Sequence, residues 1–267
     1  MTGYRSFLTM SILLAAAITL LIVGLGYGAR ALTVNGAVAA AAVGILVLSG
    51  TGFSGLWGLG AFFVTSSLLS RKSARYEPAW LDTPGHQRNA SQVMANGGIA
   101  AIGGLTGLAG HTGLGLAIAI CALAAAAADT WATSIGMSSI GEPVDIWRWK
   151  RVAKGTSGGV SLRGTLGGVA GAVTVAVAPL VGGAPVALAA VALAAGVAGM
   201  VADSILGAVL QGRFFCDACG QPSERRIHRC GAATRRTGGL AGLGNDGVNA
   251  LANALAGMIG AAWWTLR

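Results

Sequence analysis

Eight apolar segments, each close to the length that crosses a bilayer, constrain the fold of this chain more than any other feature. They cover residues 7–27, 32–50, 53–70, 92–109, 112–137, 164–182, 185–210 and 243–265. A spanning helix needs about 20 mostly apolar residues, so the short, glycine-rich third segment is the weakest of them. Only 10% of the 267 residues are charged, against about 25% in soluble domains. The sequence predicts an all-α, polytopic integral membrane protein with seven or eight transmembrane helices, the first of them retained rather than cleaved as a signal peptide.

The basic residues predict the topology. Of the 18 lysines and arginines, four lie in 71–91, five in 148–163 and six in 211–241. Two spans separate each of these loops from the next, so all three lie on one side of the membrane, which the positive-inside rule makes cytoplasmic. The expected organisation is therefore N-terminal transmembrane helices in 1–70, a cytoplasmic loop in 71–91, and a transmembrane core in 92–267 with cytoplasmic loops 138–163 and 211–241.

The net charge of +9 is explained by this topology, because the basic residues are divided among loops at one membrane face. We therefore expect membrane lipids as partners and no nucleic acid. The expected location is the cell inner membrane.

Two aspartates interrupt otherwise apolar spans. Asp129 stands in "ADTWATSIG" and Asp203 in "VADSILGAVLQ", each near the predicted cytoplasmic end of a helix. Because a carboxylate inside a span is costly, it is usually paired or functional. An ion pair with arginine or contact with interfacial water is one explanation; two carboxylates in matched settings favour ligation of a hard cation such as Mg²⁺. The matched settings, 74 residues apart, also indicate duplicated units of a helix hairpin plus a loop.

A basic, glycine-rich stretch, "KGTSGG", follows the helix of Asp129. Its lysine supplies a positive charge, and its glycines let backbone N–H groups approach an anion. The order of residues is not that of a Walker A loop, and a flexible interhelical loop is the alternative. The position beside Asp129 favours a phosphate site, whose members are Lys154, Gly155, Thr156, Ser157, Gly158 and Gly159.

Asparagines stand at the predicted cytoplasmic starts of the fourth and last spans. Asn96, Asn245 and Asn249 either line the same polar cavity as the aspartates or, one at each helix, cap the helix N-terminus. The first interpretation suits phosphate oxygens, which bind well at helix N-termini. Arg88 and Arg163 are candidates to receive the phosphate of a lipid.

A cluster of potential metal ligands lies in the third basic loop. Cys216 and Cys219 form a Cys-x-x-Cys pair, and His228 and Cys230 follow two residues apart. The spacing is similar to that of a zinc knuckle, although the second pair is not standard. A structural Zn²⁺ site and a set of free thiols are both open, whereas disulfides are not expected in a cytoplasmic loop.

Several of these motifs together carry a resemblance to a known family. The stretches, in chain order, are "RNASQVMANGG", "ADTWATSIG", "KGTSGGVSLRGTLGG", "VADSILGAVLQ", "CDACG" and "NDGVNALANALAG". Over residues 85–260 they resemble the transmembrane-protein-19-like family, also called domain of unknown function 92, which includes the plant plastid kinase that makes phytyl diphosphate for tocopherol synthesis.

The stretch from Asp129 to Gly159 is also similar to the nucleotide site of CTP-using polyprenol kinases. Asp129, Ala132 and Gly136 match the first part of that pattern. Lys154, Thr156 and Gly158 correspond to the second part, but Gly155 is inserted and Ser157 replaces the expected glutamate. These departures leave the nucleotide, CTP or another, undefined.

The resemblance implies a membrane lipid kinase that acts at the cytoplasmic face. It would use Mg²⁺ and a nucleoside triphosphate to convert an isoprenyl monophosphate, of phytyl or geranylgeranyl type, into the diphosphate. Asp129, Asp203 and Lys154 are its expected catalytic residues. A secondary transporter, which also uses duplicated hairpins with polar residues, stays open. So do a kinase or cytidylyltransferase for another lipid and a non-catalytic scaffold.

Overall fold

A computed structural model describes residues 12–77 and 87–267, and helices dominate them. The helices are α1 (Ile12–Gly28), α2 (Val34–Ser73), α3 (Ala90–Leu108), α4 (Thr112–Met137), α5 (Leu162–Val177), α6 (Val186–Val209) and α7 (Asn245–Thr265), with short 3-10 helices at Ala74–Tyr76 and Ala178–Gly182. The start of the predicted first span and the middle of the predicted loop 71–91 lie outside the described residues. The predicted all-α fold is confirmed.

Four of the described helices are long and apolar enough to cross a membrane. They are Val34–Tyr76, Thr112–Met137, Leu162–Gly182 and Val186–Val209. Helix α1 is apolar but shorter, at 17 residues. Helices α3 and α7 reach 19 and 21 residues but begin with polar turns.

Helix α2 contains two of the predicted spans. Its 40 residues would extend about 60 Å as one straight helix, twice the hydrocarbon thickness of a bilayer. The helical path is broken at Gly52, whose φ of 66° and ψ of −158° are not helical. Near this break Ser54 Oγ donates to the carbonyl of Gly182 at 2.8 Å. Arg71, near the end of α2, donates to the carbonyl of Ala29, just before the start of α2. The two halves of α2 therefore fold back on each other and correspond to predicted spans 32–50 and 53–70.

Small residues form the interior and large ones the exterior, as in membrane proteins rather than soluble ones. Helix α4 lies at the centre, and its residues from Ala122 to Ala128 are completely or almost completely buried. A Cβ at Gly50 would overlap the carbonyl of Gly104, so α2 and α3 touch backbone to backbone. Large aliphatic side chains such as Leu13 and Leu21 are exposed on the outside, where lipid would contact them.

Two small β-sheets, which the apolar pattern did not predict, occupy the loops after α4 and α6. Strands β1 (Val144–Asp145) and β2 (Gly159–Val160) pair antiparallel. Strands β3 (Arg213–Cys216), β4 (Gln221–Ser223) and β5 (Arg235–Gly238) form a sheet of order β4-β3-β5. A helix pair followed by a small sheet therefore occurs twice, which is the order that the predicted duplication requires.

Candidate active site

The two aspartates lie side by side although 74 residues separate them in sequence. Asp129 comes from α4 and Asp203 from α6, and their half-buried carboxyl groups are in hydrogen-bonding contact. With its amide turned to satisfy both neighbours, Asn249 of α7 donates to Asp203 Oδ2 at 2.8 Å and to the carbonyl of Asn245 at 3.3 Å. Three helices thus converge on one carboxylate pair.

No cationic side chain within the described ranges pairs with these carboxylates. The ion pairs found there join Arg148 to Asp145 and Arg235 to Asp217. The arginine pairing considered for Asp129 and Asp203 is therefore not seen between described residues. Two carboxylates in contact repel each other when both are ionised, so the pair is stabilised either by a shared proton or by a bound cation.

The carboxylate pair faces a cavity of about 480 Å³. Most of the predicted phosphate-site residues line this cavity. They are Asn96, Lys154, Gly155, Thr156, Ser157, Gly158, Gly159, Asn245 and Asn249, and they are joined by Arg88, Gln92, Glu224 and Asp246. The cavity has the size of a small-molecule site. Arg163 is not among the lining residues: its side chain is exposed, and its guanidinium contacts the carbonyl of Ser138 at 3.4 Å.

The glycine-rich stretch belongs to the loop between α4 and α5 and packs against the ends of α4 and α6. Gly155 and Gly158 have φ values of 84° and 82°, which residues with a Cβ rarely adopt. A Cβ at Gly158 would overlap Ala208 of α6, and Ser157 Oγ donates to Gln211 Oε1 at 2.8 Å. This packing holds the loop against the helix that carries Asp203.

The loop also offers free donors. Within the described chain, Thr156 and Gly159 donate their N–H groups to backbone carbonyls, whereas the N–H groups of Gly155, Ser157 and Gly158 have no acceptor. Lys154 Nζ, in contrast, donates to the carbonyls of Ser139 and Met137 at the end of α4, where a positive charge is favourable. Lys154 therefore lines the cavity while its ammonium group holds the end of α4.

Asn96, Asn245 and Asn249 do not cap the helices to which they belong. Asn89 is the N-cap of α3 and forms a capping box with Gln92, and Gly244 is the N-cap of α7 without any side-chain cap. Asn96 donates to the carbonyl of Gln92 at 3.0 Å, while its buried Oδ1 has no partner within the described residues. The capping interpretation of Asn96 and Asn245 is thus wrong, and both residues line the cavity instead.

Arg88 connects the polar cavity to a second, apolar one. Its guanidinium carbon lies 5.1 Å from the centroid of the Phe62 ring, and its backbone bonds to Ala31 and Thr33 between α1 and α2. The apolar cavity, of about 90 Å³, lies among α1, α2 and α3 and shares Arg88, Gln92 and Asn96 with the polar one. Its apolar lining includes Ile22, Val23, Val43, Leu59 and Phe63.

The comparisons with known proteins agree with this architecture. A family model described as "Integral membrane protein DUF92" matches residues 17–257. The chain belongs to this family. It is 29% identical to Protein PGR of Arabidopsis thaliana, with 70% of this chain and 74% of the relative covered. It is 30% identical to an uncharacterized membrane protein of Methanocaldococcus jannaschii, with 68% and 76% covered. No solved structure matches it significantly.

The DUF92 match contains the entire candidate site, from Arg88 to Asn249, and the resemblance seen in the sequence motifs is confirmed. Membership makes this chain an integral membrane protein. The cysteine and histidine cluster also falls inside the matched region: Cys216, Cys219, His228 and Cys230 converge in the sheet that follows α6. The metal, nucleotide and catalytic roles assigned to these residues stay predictions.

Asp145 is a residue of this DUF92 chain that the sequence analysis missed. Its carboxylate is almost completely buried and accepts from the N–H groups of Trp147 and Arg148 at 2.9 and 2.7 Å, and from Arg148 Nη1 at 2.8 Å. Ile146 N then donates to the carbonyl of Gly158 at 3.0 Å. Asp145 therefore folds the turn that supports the glycine loop; an aspartate bonded to backbone two and three residues later is a turn signal that could have identified it.

The hydrogen bonds of Asp145 predict a pH-dependent stability. Burial acts to raise its pKa, but the hydrogen bonds from Arg148 and Trp147 outweigh burial and hold the pKa below its usual value. A lowered folded-state pKa stabilises the fold above about pH 4 and less below it. We expect Asp145→Asn to cost about 1–3 kcal/mol near pH 7, measured by thermal unfolding in detergent.

The matched control for this prediction is Glu142→Gln, which neutralises an exposed carboxylate in the same loop and should leave the unfolding temperature unchanged. The difference between Asp145→Asn and the wild type should shrink as the pH falls from 7 to below 4. An equal difference at both pH values would contradict the role assigned to the carboxylate.

Proposed function

We propose that this protein is a membrane-embedded phosphotransferase that moves the γ-phosphoryl group of a nucleoside triphosphate to an isoprenyl monophosphate. The observation that carries the proposal is the contact between Asp129 and Asp203 beside the glycine loop. Phosphoryl transfer depends on positioning phosphates and neutralising their charge. The cavity combines two carboxylates, which can hold a metal ion, with backbone N–H groups, which can bind phosphate oxygens.

The carboxylate pair suits Mg²⁺. Hard cations take oxygen ligands, and Mg²⁺ is commonly held by one or two carboxylates plus substrate phosphates. Asp129 and Asp203 provide such oxygens from two helices, with Asn249 hydrogen-bonded to Asp203 to orient it. Bound there, Mg²⁺ would neutralise charge on the nucleotide phosphates.

The glycine loop and the start of α7 suit the phosphates themselves. The N–H groups of Gly155, Ser157 and Gly158, which have no acceptor among residues 12–77 and 87–267, form the kind of backbone cluster that binds anions. Asn245 begins α7 at the cavity, where the helix dipole favours negative charge. In this proposal Lys154 contributes positive potential from the end of α4 while it orders the loop.

The acceptor phosphate would lie at Arg88. A guanidinium binds phosphate well, and Arg88 stands where the polar cavity meets the apolar one. An isoprenyl chain attached to that phosphate would extend among α1, α2 and α3. The apolar cavity thus favours a lipid phosphate over a soluble acceptor, and the predicted topology places the reaction at the cytoplasmic face.

The proposed reaction needs no strong general base. An oxygen of the lipid monophosphate attacks the γ-phosphorus, a new P–O bond forms, and the bond from the γ-phosphorus to the β–γ bridging oxygen breaks, releasing the nucleoside diphosphate. A phosphate nucleophile is already ionised near neutral pH. This chemistry agrees with the residues that line the described cavity, among which there is no histidine.

Labelled nucleotides test the reaction class. Purified protein in detergent would receive Mg²⁺, geranylgeranyl or phytyl monophosphate, and CTP or ATP labelled in either the α- or the γ-phosphate. We expect γ-label alone to enter a lipid diphosphate. Transfer of α-label would instead indicate a nucleotidyltransferase, and product from the free alcohol alone would indicate an alcohol kinase.

A transporter would behave differently in the same experiment. It would give no labelled lipid with any nucleotide, and protein reconstituted in liposomes would carry substrate across the bilayer without nucleotide. That pair of results would overturn the proposed function.

A further inference from the structure

Four side chains in the loop between α6 and α7 converge on one point. One ligand atom from each of Cys216, Cys219, His228 and Cys230 lies within 4.8 Å of the others. The sulfurs of Cys216 and Cys230 are 3.7 Å apart, and His228 Nδ1 is 3.1 Å from the sulfur of Cys230. We propose that these four residues bind one structural Zn²⁺ ion.

The distances agree with a tetrahedral site. With Zn–S bonds of about 2.3 Å, two thiolates on a tetrahedral zinc lie about 3.8 Å apart. A disulfide would require a sulfur–sulfur distance of about 2.05 Å, and all four cysteines of the described chain are free. Three thiols and one imidazole also make up a common donor set of structural zinc.

Two similar turns present the ligands. The first runs from Cys216 to Gly220, where Gly220 N donates to the carbonyl of Cys216 at 2.8 Å. The second runs from His228 to Gly231, where Gly231 N donates to the carbonyl of His228 at 2.8 Å. Both terminal glycines have positive φ values, 64° and 85°. Each turn therefore directs two ligands to one side, as zinc knuckles do.

The burial of the cluster separates it from an ordinary group of surface thiols. Cys216 and His228 are buried, and His228 Nε2 has no hydrogen-bond partner in the part of the chain that the structure describes. His228 Nδ1 accepts from the N–H of Cys230 at 3.4 Å, so Nε2 is the ring nitrogen that lacks the partner a buried polar atom normally has. Cys219 and Cys230 are exposed, which leaves a path for the ion to enter.

The proposed ion would also stabilise one wall of the cavity that contains Asp129 and Asp203. Glu224 lies between the two turns, lines the cavity, and accepts from Gln211 Nε2 at 3.1 Å. Gln211 is buried and in turn accepts from Ser157 of the glycine loop. The segment that carries the four proposed zinc ligands is thus connected, through the side chains of Glu224 and Gln211, to the loop between α4 and α5. None of the four ligands lines the cavity, so the role proposed for the ion is structural.

Metal analysis tests this proposal without reference to any activity. Protein purified under reducing conditions should contain one zinc per chain by mass spectrometry. Cys219→Ser and Cys230→Ser, which alter exposed ligands, should lose it. Cys121→Ala, which changes the buried cysteine of α4 outside the cluster, should retain it.

Replacement of the proposed Zn²⁺ by Co²⁺ tests the site in the wild type, so it does not depend on whether the cysteine variants fold. Wild-type protein produced with Co²⁺ should show the intense visible absorption of a tetrahedral cobalt–thiolate site. Zinc-stripped wild type should be cut faster by trypsin at the arginines of residues 211–241, which surround the proposed ligands. Zinc-free protein as purified, with three reactive thiols or a disulfide and no cobalt spectrum, would overturn the proposal.

Discussion

Asp129→Asn and Asp203→Asn should each lower the proposed phosphoryl transfer by at least about 10²–10³-fold, the loss expected when a group that stabilises transition-state charge is removed. The reason is that each change removes one of the two carboxylates in contact and weakens the site for a divalent cation. The measurement is kcat/KM for transfer of γ-label to a lipid diphosphate. Glu142→Gln, which neutralises an exposed carboxylate outside the cavity, should keep wild-type activity.

Thermal unfolding separates a metal-binding role for the aspartates from a structural one. Mg²⁺ at ten times its dissociation constant would stabilise the wild type by about 1.4 kcal/mol, or about 3–6 °C for a chain of this size. Each aspartate variant should lose this Mg²⁺-induced rise. Without Mg²⁺ the variants should be at least as stable as the wild type, because replacement of one carboxylate removes the repulsion between them. Variants that unfold, or that respond to Mg²⁺ like the wild type, would contradict the account.

We expect Gly60→Leu to weaken the binding of a long isoprenyl chain. Gly60 lines the apolar cavity, and a Cβ there meets no atom within 4 Å, so leucine fits the fold and fills space that an isoprenyl chain would occupy. Exclusion of about four carbons costs about 3 kcal/mol at 0.8 kcal/mol per buried carbon, which corresponds to about 100-fold in affinity. We expect the KM for a long isoprenyl monophosphate to rise by about that factor.

The control for Gly60→Leu is Gly24→Leu. A Cβ at Gly24 of α1 also meets no atom within 4 Å, but Gly24 does not line the cavity. Gly24→Leu should leave the KM for the nucleotide and for every lipid acceptor unchanged. In Gly60→Leu the KM for the nucleotide and for dimethylallyl monophosphate, whose short chain does not reach as far, should stay at wild-type values. Equal losses for short and long acceptors would place the lipid chain elsewhere.

The matched settings of the two aspartates were enough to predict a common site. Both residues precede a small hydroxyl residue near the predicted cytoplasmic end of a span, and helices that run in the same direction place such residues at the same depth. Predicted spans also corresponded closely to helices such as α4 and α6, because long apolar runs have few alternatives in a bilayer. The break at Gly52 was likewise predicted as a boundary between spans.

Residues whose roles depend on distant contacts were harder to predict. The position of Asn96 near the predicted start of a span suggests a cap, but the N-cap of α3 is Asn89, about two turns earlier, in a capping box with Gln92. Asp145 acts through backbone N–H groups of its own turn, and the two-residue strand to which it belongs is too short for a periodic signal. The attachment of Lys154 to the end of α4 depends on how the loop folds back, which residue spacing does not define.

We propose that Asp129 and Asp203 hold a divalent cation on nucleotide phosphates. Mn²⁺, which prefers the same oxygen ligands as Mg²⁺, allows this to be measured by electron–nuclear double resonance. Protein freed of unbound Mn²⁺–nucleotide by gel filtration should retain one Mn²⁺ coupled to ³¹P, and Asp129→Asn and Asp203→Asn should lose that signal. The same ³¹P-coupled Mn²⁺ in both variants, or no nucleotide-dependent Mn²⁺ in the wild type, would contradict the claim.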